Sequence, residues 1–261
     1  MAPAVPPMAE LVAPAGWRTV DLLSDLHLDR QHPATLAAFA SYLQHTQADA
    51  ILLLGDLFEV WVGDDAIDEP GSFEAEACAL LQRAAAQRPL YFMHGNRDFL
   101  VGAGFARATG VALLDDPTVL TLGSARWLLS HGDALCLDDV EYQRFRALAR
   151  DPAWQAQLLA QPLTARRAHG KAARSESEAR KSNPRAIYAD VDTGAALAWL
   201  RAARAPTLIH GHTHRPADHT LPGGRTRHVL TDWDLDDAPH RAEVLRLGTD
   251  GSLKRLGLGA L

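Results

Sequence analysis

Only two cysteines, Cys78 and Cys136, occur in 261 residues, and neither belongs to a CxxC pair. A disulfide-stapled scaffold and a thiolate zinc site are therefore not expected, and a reducing, cytoplasmic setting is. Long hydrophobic runs are missing as well: nothing approaches the ~18 apolar residues that would span a bilayer. A surface attachment stays open. There is no basic excess, since 26 Lys and Arg face 32 Asp and Glu for a net charge of −6. Nucleic acid is therefore not the expected partner. The N-terminus, MAPAVPPMAELVAPAG, lacks both a basic start and a clean apolar core. It reads as a Pro/Ala-rich disordered lead over 1–16, not as a secretion signal.

What is present is ordinary soluble-enzyme composition, 47% hydrophobic and 22% charged, in a chain long enough for a sizeable core. Residues 19–24 predict a short apolar strand, 36–47 a helix, and Ala50–Leu54 (AILLL) a strand buried on both faces. Residues 73–87 predict a second helix and Leu90–Met93 another strand, so the first part alternates as βαβ units. Beyond it, 119–122 and 127–130 predict a hairpin, and 207–209, 228–231, 242–247 and 252–256 further strands. Two packed sheets with helices outside are expected. The core would comprise 17–139 and 205–261, interrupted by a helix-rich insertion at 140–204. Residues 161–185 of that insertion hold Arg166, Arg167, Lys171, Arg174, Arg180, Lys181 and Arg185 against only Glu176 and Glu178. We expect a lid.

Five strand-like segments each end in a small cluster of donors: Asp25-Leu26-His27, Gly55-Asp56, Gly95-Asn96-Arg97-Asp98, His131-Gly132-Asp133 and Gly211-His212-Thr213-His214. In an open α/β sheet, sites form beyond the carboxyl ends of the strands, so these clusters should converge. Asp25 and His27 are two apart, which on an extended strand places them on one face; the same holds for His212 and His214. Mixed nitrogen and oxygen donors suit first-row divalent cations. Seven such donors are too many for one ion and suit two, held roughly 3.5–4 Å apart by a shared carboxylate. Asp56 is the candidate bridge. His94 and His210 neighbour these motifs and read as packed histidines.

The ordered set resembles the calcineurin-like metallophosphoesterase superfamily, whose pattern is DxH, GD, GN(H/R)(D/E), H and GHxH. The resemblance implies a four-layer αββα sandwich of two mixed β-sheets flanked by helices. It implies one metal on Asp25, His27, Asp56 and His214, and a second on Asp56, Asn96, His131 and His212. Many members carry His after the Asn, where it can protonate a leaving alkoxide; Arg97 stands there in this chain. Arginine stays charged and cannot be a general acid, but it clamps phosphate. That favours a leaving group needing no proton, such as the phosphate of a pyrophosphate.

Finer segments, LGDLFEVWVGDD (54–65), HGNRDFL (94–100), HGDALCLDD (131–139) and IHGHTHRP (209–216), are similar to the UDP-2,3-diacylglucosamine pyrophosphatase family of lipid A synthesis. What that similarity implies is a manganese-dependent enzyme, peripheral on the cytoplasmic side of the bacterial inner membrane; a monomer is expected. Its lipid-nucleotide substrate would be split to UMP and the acylated sugar 1-phosphate (lipid X) by water attacking the α-phosphorus. It further implies substrate contacts from Asn96, Arg97, Asp139, Ser177, Lys181 and His212, although a lysine position of the family is Pro184 here. Trp154, Leu158, Leu159 and Leu163 lie at near-helical spacing, able either to line an acyl cavity or to pack the lid onto the body. The insertion's basic residues are expected to face anionic lipid. A generalist phosphodiesterase of the same superfamily and a silent binding scaffold are the rival readings.

Overall fold

The computed structural model describes residues 5–181, 189–257 and 259, with side chains of the first segment described up to 175. Among the described residues, twelve strands form two six-stranded sheets. One holds β1 (Ala9–Val12), β6 (Thr118–Leu122), β7 (Ala125–Leu129), β8 (Thr207–His210), β10 (Arg225–Val229) and β9 (Ala217–Leu221), in that spatial order. The other runs β12 (Leu253–Gly257), β11 (Glu243–Gly248), β2 (Thr19–Leu23), β3 (Ala50–Leu54), β4 (Leu90–Met93) and β5 (Ala112–Leu114). Strands β2 to β5 pair in parallel, so their carboxyl ends share one edge. Strands β7 and β8 are likewise parallel neighbours.

The all-apolar β3 shows why the layers stack as they do. Ile51 and Leu53 pack with Phe39 of α1 (Pro33–His45), Ala77 and Leu81 of α2 (Phe73–Ala85) and Phe105 of α3 (Ala103–Thr109). Ala50, Leu52 and Leu54 pack on the opposite side against Leu120, Leu129 and Ile209 of the other sheet. A strand covered on both faces cannot alternate with polar residues, which is the run seen in the sequence. Helix α2 starts where Ser72 accepts a hydrogen bond from the Ala75 N–H at 3.0 Å, with Glu74 and Glu76 in its first turn. Such a cap is worth about 1 kcal/mol. The outer face of the other sheet is covered by α7 (Thr193–Ala203), whose Ala195, Ala196, Trp199 and Leu200 pack with Leu128 and Leu208. The result is the αββα sandwich.

Three sequence expectations need correction here. The lead at 1–16 is not disordered throughout: β1 pairs in parallel with β6, and Leu11 packs into the core between the sheets. Four residues between prolines hide that strand. Helix α7 belongs to the sandwich and not to the lid, because its small residues and Trp199 bury against the sheet. The insertion proper is α4 (Val140–Ala149), α5 (Pro152–Leu159) and α6 (Leu163–Lys181). Finally, the described arginines of α6 turn inward. Arg166 is buried and pairs with Asp65 and the Val62 carbonyl, Arg167 with Glu69, and Arg174 with Asp29 at 3.1 Å and Glu59 at 3.2 Å. An acidic strip on the body takes these three charges, where the sequence alone left them a free basic face.

Lid packing also divides the four apolar residues of α5 and α6. Leu158 packs on the helix-side core, and the Trp154 ring lies 6.2 Å from that of Phe99. Leu159 stays 41% exposed, and Leu163 at the start of α6 is half-buried.

Candidate metal centre

All seven predicted donors sit in loops immediately beyond β2, β3, β4, β7 and β8. They converge, but not by strand alternation. Asp25 and His27 lie past the end of β2 with φ of 55° and 48°, Asp56 has φ 51°, and His212 and His214 have 67° and 51°. Left-handed conformations cost a non-glycine residue on the order of 1 kcal/mol or more. The loops hold them by main-chain bonds: Asp25 N donates to Gly55 O at 3.0 Å, His27 N to Asp56 O at 3.0 Å, and Gly211 N to His131 O at 2.9 Å. Strain concentrated on the donors themselves is the mark of a functional site.

Glycines let these loops approach so closely. A Cβ on Gly95 would collide with the Asp56 carboxylate and its backbone nitrogen, and one on Gly211 with Asp25 and Ser24.

The donors form two groups that meet at Asp56. In the first, His27 Nε2 lies 3.2 Å from His214 Nε2, 4.0 Å from Asp25 Oδ1 and 3.9 Å from Asp56 Oδ2. His214 Nε2 is 3.4 Å from Asp25 Oδ1. In the second, Asp56 Oδ1 lies 3.8 Å from His131 Nε2, while Asn96 Oδ1 lies 3.1 Å from His131 Nε2 and 2.8 Å from His212 Nδ1. The two oxygens of Asp56 thus face different groups, the geometry a bridging carboxylate requires.

A divalent cation fits this cradle. Asp25 Oδ1 is buried and accepts no hydrogen bond, while its Oδ2 accepts from Ser24 Oγ at 2.6 Å and His212 N at 2.9 Å. An unsatisfied buried carboxylate oxygen among imidazole nitrogens is a costly arrangement without a cation. The outer ring nitrogens are tied off: His131 Nδ1 donates to Leu54 O at 2.9 Å, His27 Nδ1 lies 2.8 Å from Glu59 Oε2, and His214 Nδ1 lies 3.5 Å from Asp232 Oδ2. Such partners fix tautomer and ring orientation so that Nε2 is free to ligate.

Sequence reasoning missed these supports. Glu59 is a charge embedded in an apolar stretch, LFEVW, and that mismatch was the available signal; Asp232, in LTDWD, carried none. Asp98 was quoted within its motif without a role. It pins two loops together, accepting from Leu57 N at 2.7 Å and Gly95 N at 2.8 Å. Burial and the nearby Asp56 charge push its carboxyl up to about 7.

Arg97 stands beside the centre. Its Nη1 lies 3.4 Å from Glu59 Oε1, and its N–H donates to Asp56 Oδ1 at 2.8 Å. Burial works against Glu59 ionising, but its hydrogen bond to His27 and the charges of His27, Arg97 and Arg174 prevail and hold it at about 2. Asp139 caps α4, accepting from Tyr142 N at 3.1 Å. The Tyr142 ring lies 5.6 Å from that of His212. Ser177 and Lys181, with Pro184 and Arg185, lie outside the described side chains. His94 and His210 are tied to the Val101 and Gly211 carbonyls at 2.7 and 2.8 Å, as packed histidines should be.

The metal-free charges predict how loading depends on pH. Burial disfavours the charged form of His131, yet Asp56, Asp25 and Asp133 raise it to about 9. For His214, burial is likewise outweighed, by Asp232 and Asp25, and the ring rises to about 10. Both therefore hold protons at neutral pH that a cation must displace. Affinity for Mn²⁺ should rise with pH until those values are passed, with about two protons released per loaded molecule at pH 7. Calorimetry of Mn²⁺ binding in buffers of different ionisation enthalpy checks this; an enthalpy independent of buffer would contradict it.

Comparison with known proteins agrees with this geometry. Residues 18–216 match the family described as calcineurin-like phosphoesterase. A UDP-2,3-diacylglucosamine hydrolase of Chromobacterium violaceum is 46% identical over 243 residues, covering 92% of this chain and 99% of that protein. One from Chromohalobacter salexigens is 46% identical, covering 85% and 96%. One from Bordetella pertussis is 45% identical, covering 88% and 92%.

Proposed function

The chain belongs to the calcineurin-like phosphoesterase family and, within it, to the UDP-2,3-diacylglucosamine hydrolases, and from that premise we propose that it cleaves the pyrophosphate bond of UDP-2,3-diacylglucosamine. Water adds to the α-phosphorus, the P–O bond to the bridging oxygen breaks, and UMP and 2,3-diacylglucosamine 1-phosphate result. The observation that carries this is the pair of donor groups sharing Asp56, with an arginine and no proton donor directly after Asn96.

When bound, two divalent cations supply an acidified water and neutralise charge on the phosphoryl oxygens. The donor set suits Mn²⁺, and Mn²⁺ is the proposed ion. The protein's own part is positioning. Arg97, held by Glu59, offers two parallel N–H donors to a phosphoryl oxygen pair. Asp56 and Asp25 are buried, which keeps competing water from the donors. The acylated sugar phosphate leaves as an anion and needs no acid. Ser177 and Lys181 remain proposed substrate contacts, as does Asp139.

The lid supplies an apolar surface for acyl chains. Phe99 follows the Arg97 segment, and its ring lies 6.4 Å from that of Phe145. Phe145 and Leu148 on α4 stay 43% and 47% exposed, as does Leu159 on α5 at 41%. Among the described residues no helix is long and apolar enough to cross a membrane. The exposed Arg144 lies beside these apolar residues on α4. A cation near an anionic leaflet contributes about 1 kcal/mol, which together with the apolar surface supports peripheral attachment to the inner membrane.

Substrate preference is the test. With Mn²⁺, the lipid nucleotide should be turned over at least ~10³-fold faster than a simple aryl phosphodiester, about 4 kcal/mol of transition-state discrimination. Equal rates would identify a generalist phosphodiesterase.

A further inference from the structure

We infer that α4 is the brace of one cation position only, the one formed by Asn96, His131 and His212, and that Arg150 is its main positioning residue. This rests on the two-cation reading of the site.

One side of α4 faces two strand-end loops. Tyr142 donates its hydroxyl to Asp133 Oδ2 at 2.5 Å, and Arg146 Nε donates to the same oxygen at 2.8 Å. Gln143 Nε2 donates to the Asp133 carbonyl at 2.7 Å and the Cys136 carbonyl at 3.1 Å. These bonds fix the loop that carries His131. At the end of the helix, Arg150 Nη2 donates to the carbonyls of His94 and Gly95 at 3.3 and 3.0 Å. Those are the two peptide groups immediately before Asn96.

Asn96 depends on this more than any other donor. Its amide oxygen carries no formal charge, so a cation cannot pull it into place as it does a carboxylate. Its backbone must deliver the oxygen to within reach of His131 and His212. The Arg150 Nη2 amino group, donating to two successive carbonyls, does that, because its two N–H bonds are fixed in the plane of the guanidinium. The other cation position has separate supports. Glu59 braces His27, Asp232 braces His214 and Ser24 braces Asp25. The two halves of the centre meet at Asp56 and at the bond from His212 N to Asp25 Oδ2, and among the described residues neither Arg150 nor the rest of α4 touches the supports of the first. Helix α4, the first helix of the lid, is thus also a wall of the metal site.

The test is Mn²⁺ titration of the chelator-stripped full-length protein, counting free ion by electron paramagnetic resonance and heat by calorimetry. Wild type should bind two ions and show the coupled spectrum of a carboxylate-bridged pair. Arg150→Ala should bind one ion at wild-type affinity and the second at least tenfold more weakly, with the coupled spectrum lost at matched concentration. Arg150→Lys, which keeps a charge but donates to one carbonyl well, should fall between. A thermal melt shows whether each variant is folded; if Arg150→Ala is not, Arg150→Lys against wild type carries the same criterion. Two ions bound as in wild type, or both weakened alike, would overturn the inference. A wild type that binds only one ion would instead sink the two-cation reading on which it stands.

Discussion

Asp56→Ala should lower turnover of the lipid nucleotide by on the order of 10³-fold or more while the protein remains folded. Each 1.4 kcal/mol lost from transition-state stabilisation is about tenfold in rate, and the cations together supply several kcal/mol. Asp56 is the residue both donor groups share: its Oδ2 is 3.9 Å from His27 Nε2 and its Oδ1 is 3.8 Å from His131 Nε2. Removing it separates the pair, where removing His27 or Asn96 harms one group. Its loss also costs the Arg97 backbone N–H an acceptor at 2.8 Å. Steady-state rates at saturating Mn²⁺, with circular dichroism to show the fold, measure this. A variant within tenfold of wild type would mean that Asp56 does not bridge.

Arg97→Ala should lower kcat/KM by roughly 10²-fold with Mn²⁺ stoichiometry unchanged, as expected for one charged donor aimed at a phosphoryl group. The contrast with Asp56→Ala lies in the metal count, because the proposed role of Arg97 is to hold substrate, not cation. Arg97→His is the more informative partner. A histidine there can donate a proton, so hydrolysis of a phosphomonoester with an alkoxide leaving group should rise relative to pyrophosphate cleavage. Parallel assays of both substrates decide it. An unchanged ratio would show that the missing acid does not set the substrate class.

The donor set was legible in the sequence because each member closes an apolar run, and apolar runs buried on both faces are recognisable as central strands. Asp56 after AILLL and Asn96 after LYFM are the clearest cases. How the donors converge was not legible. Asp25 and His27 share a direction through left-handed backbone beyond β2, which no spacing rule reports. Strand β1 escaped because its pairing with β6 is more than a hundred residues distant in sequence, and its own four residues carry little local signal. Glu59 and Asp232 act through histidines and leave no motif of their own. The pairing of the charge run was not legible for a physical reason: Arg166, Arg167 and Arg174 have acidic partners on the body, such as Glu69 for Arg167, that only the fold brings opposite them.

The reaction itself is tested most directly by product identity. Chelator-stripped protein is incubated with UDP-2,3-diacylglucosamine in ¹⁸O-labelled water, with and without Mn²⁺, and the products are weighed by mass spectrometry. The account predicts UMP carrying one ¹⁸O, together with unlabelled 2,3-diacylglucosamine 1-phosphate, formed only when Mn²⁺ is present. Label in the sugar phosphate, or cleavage without metal, would contradict it.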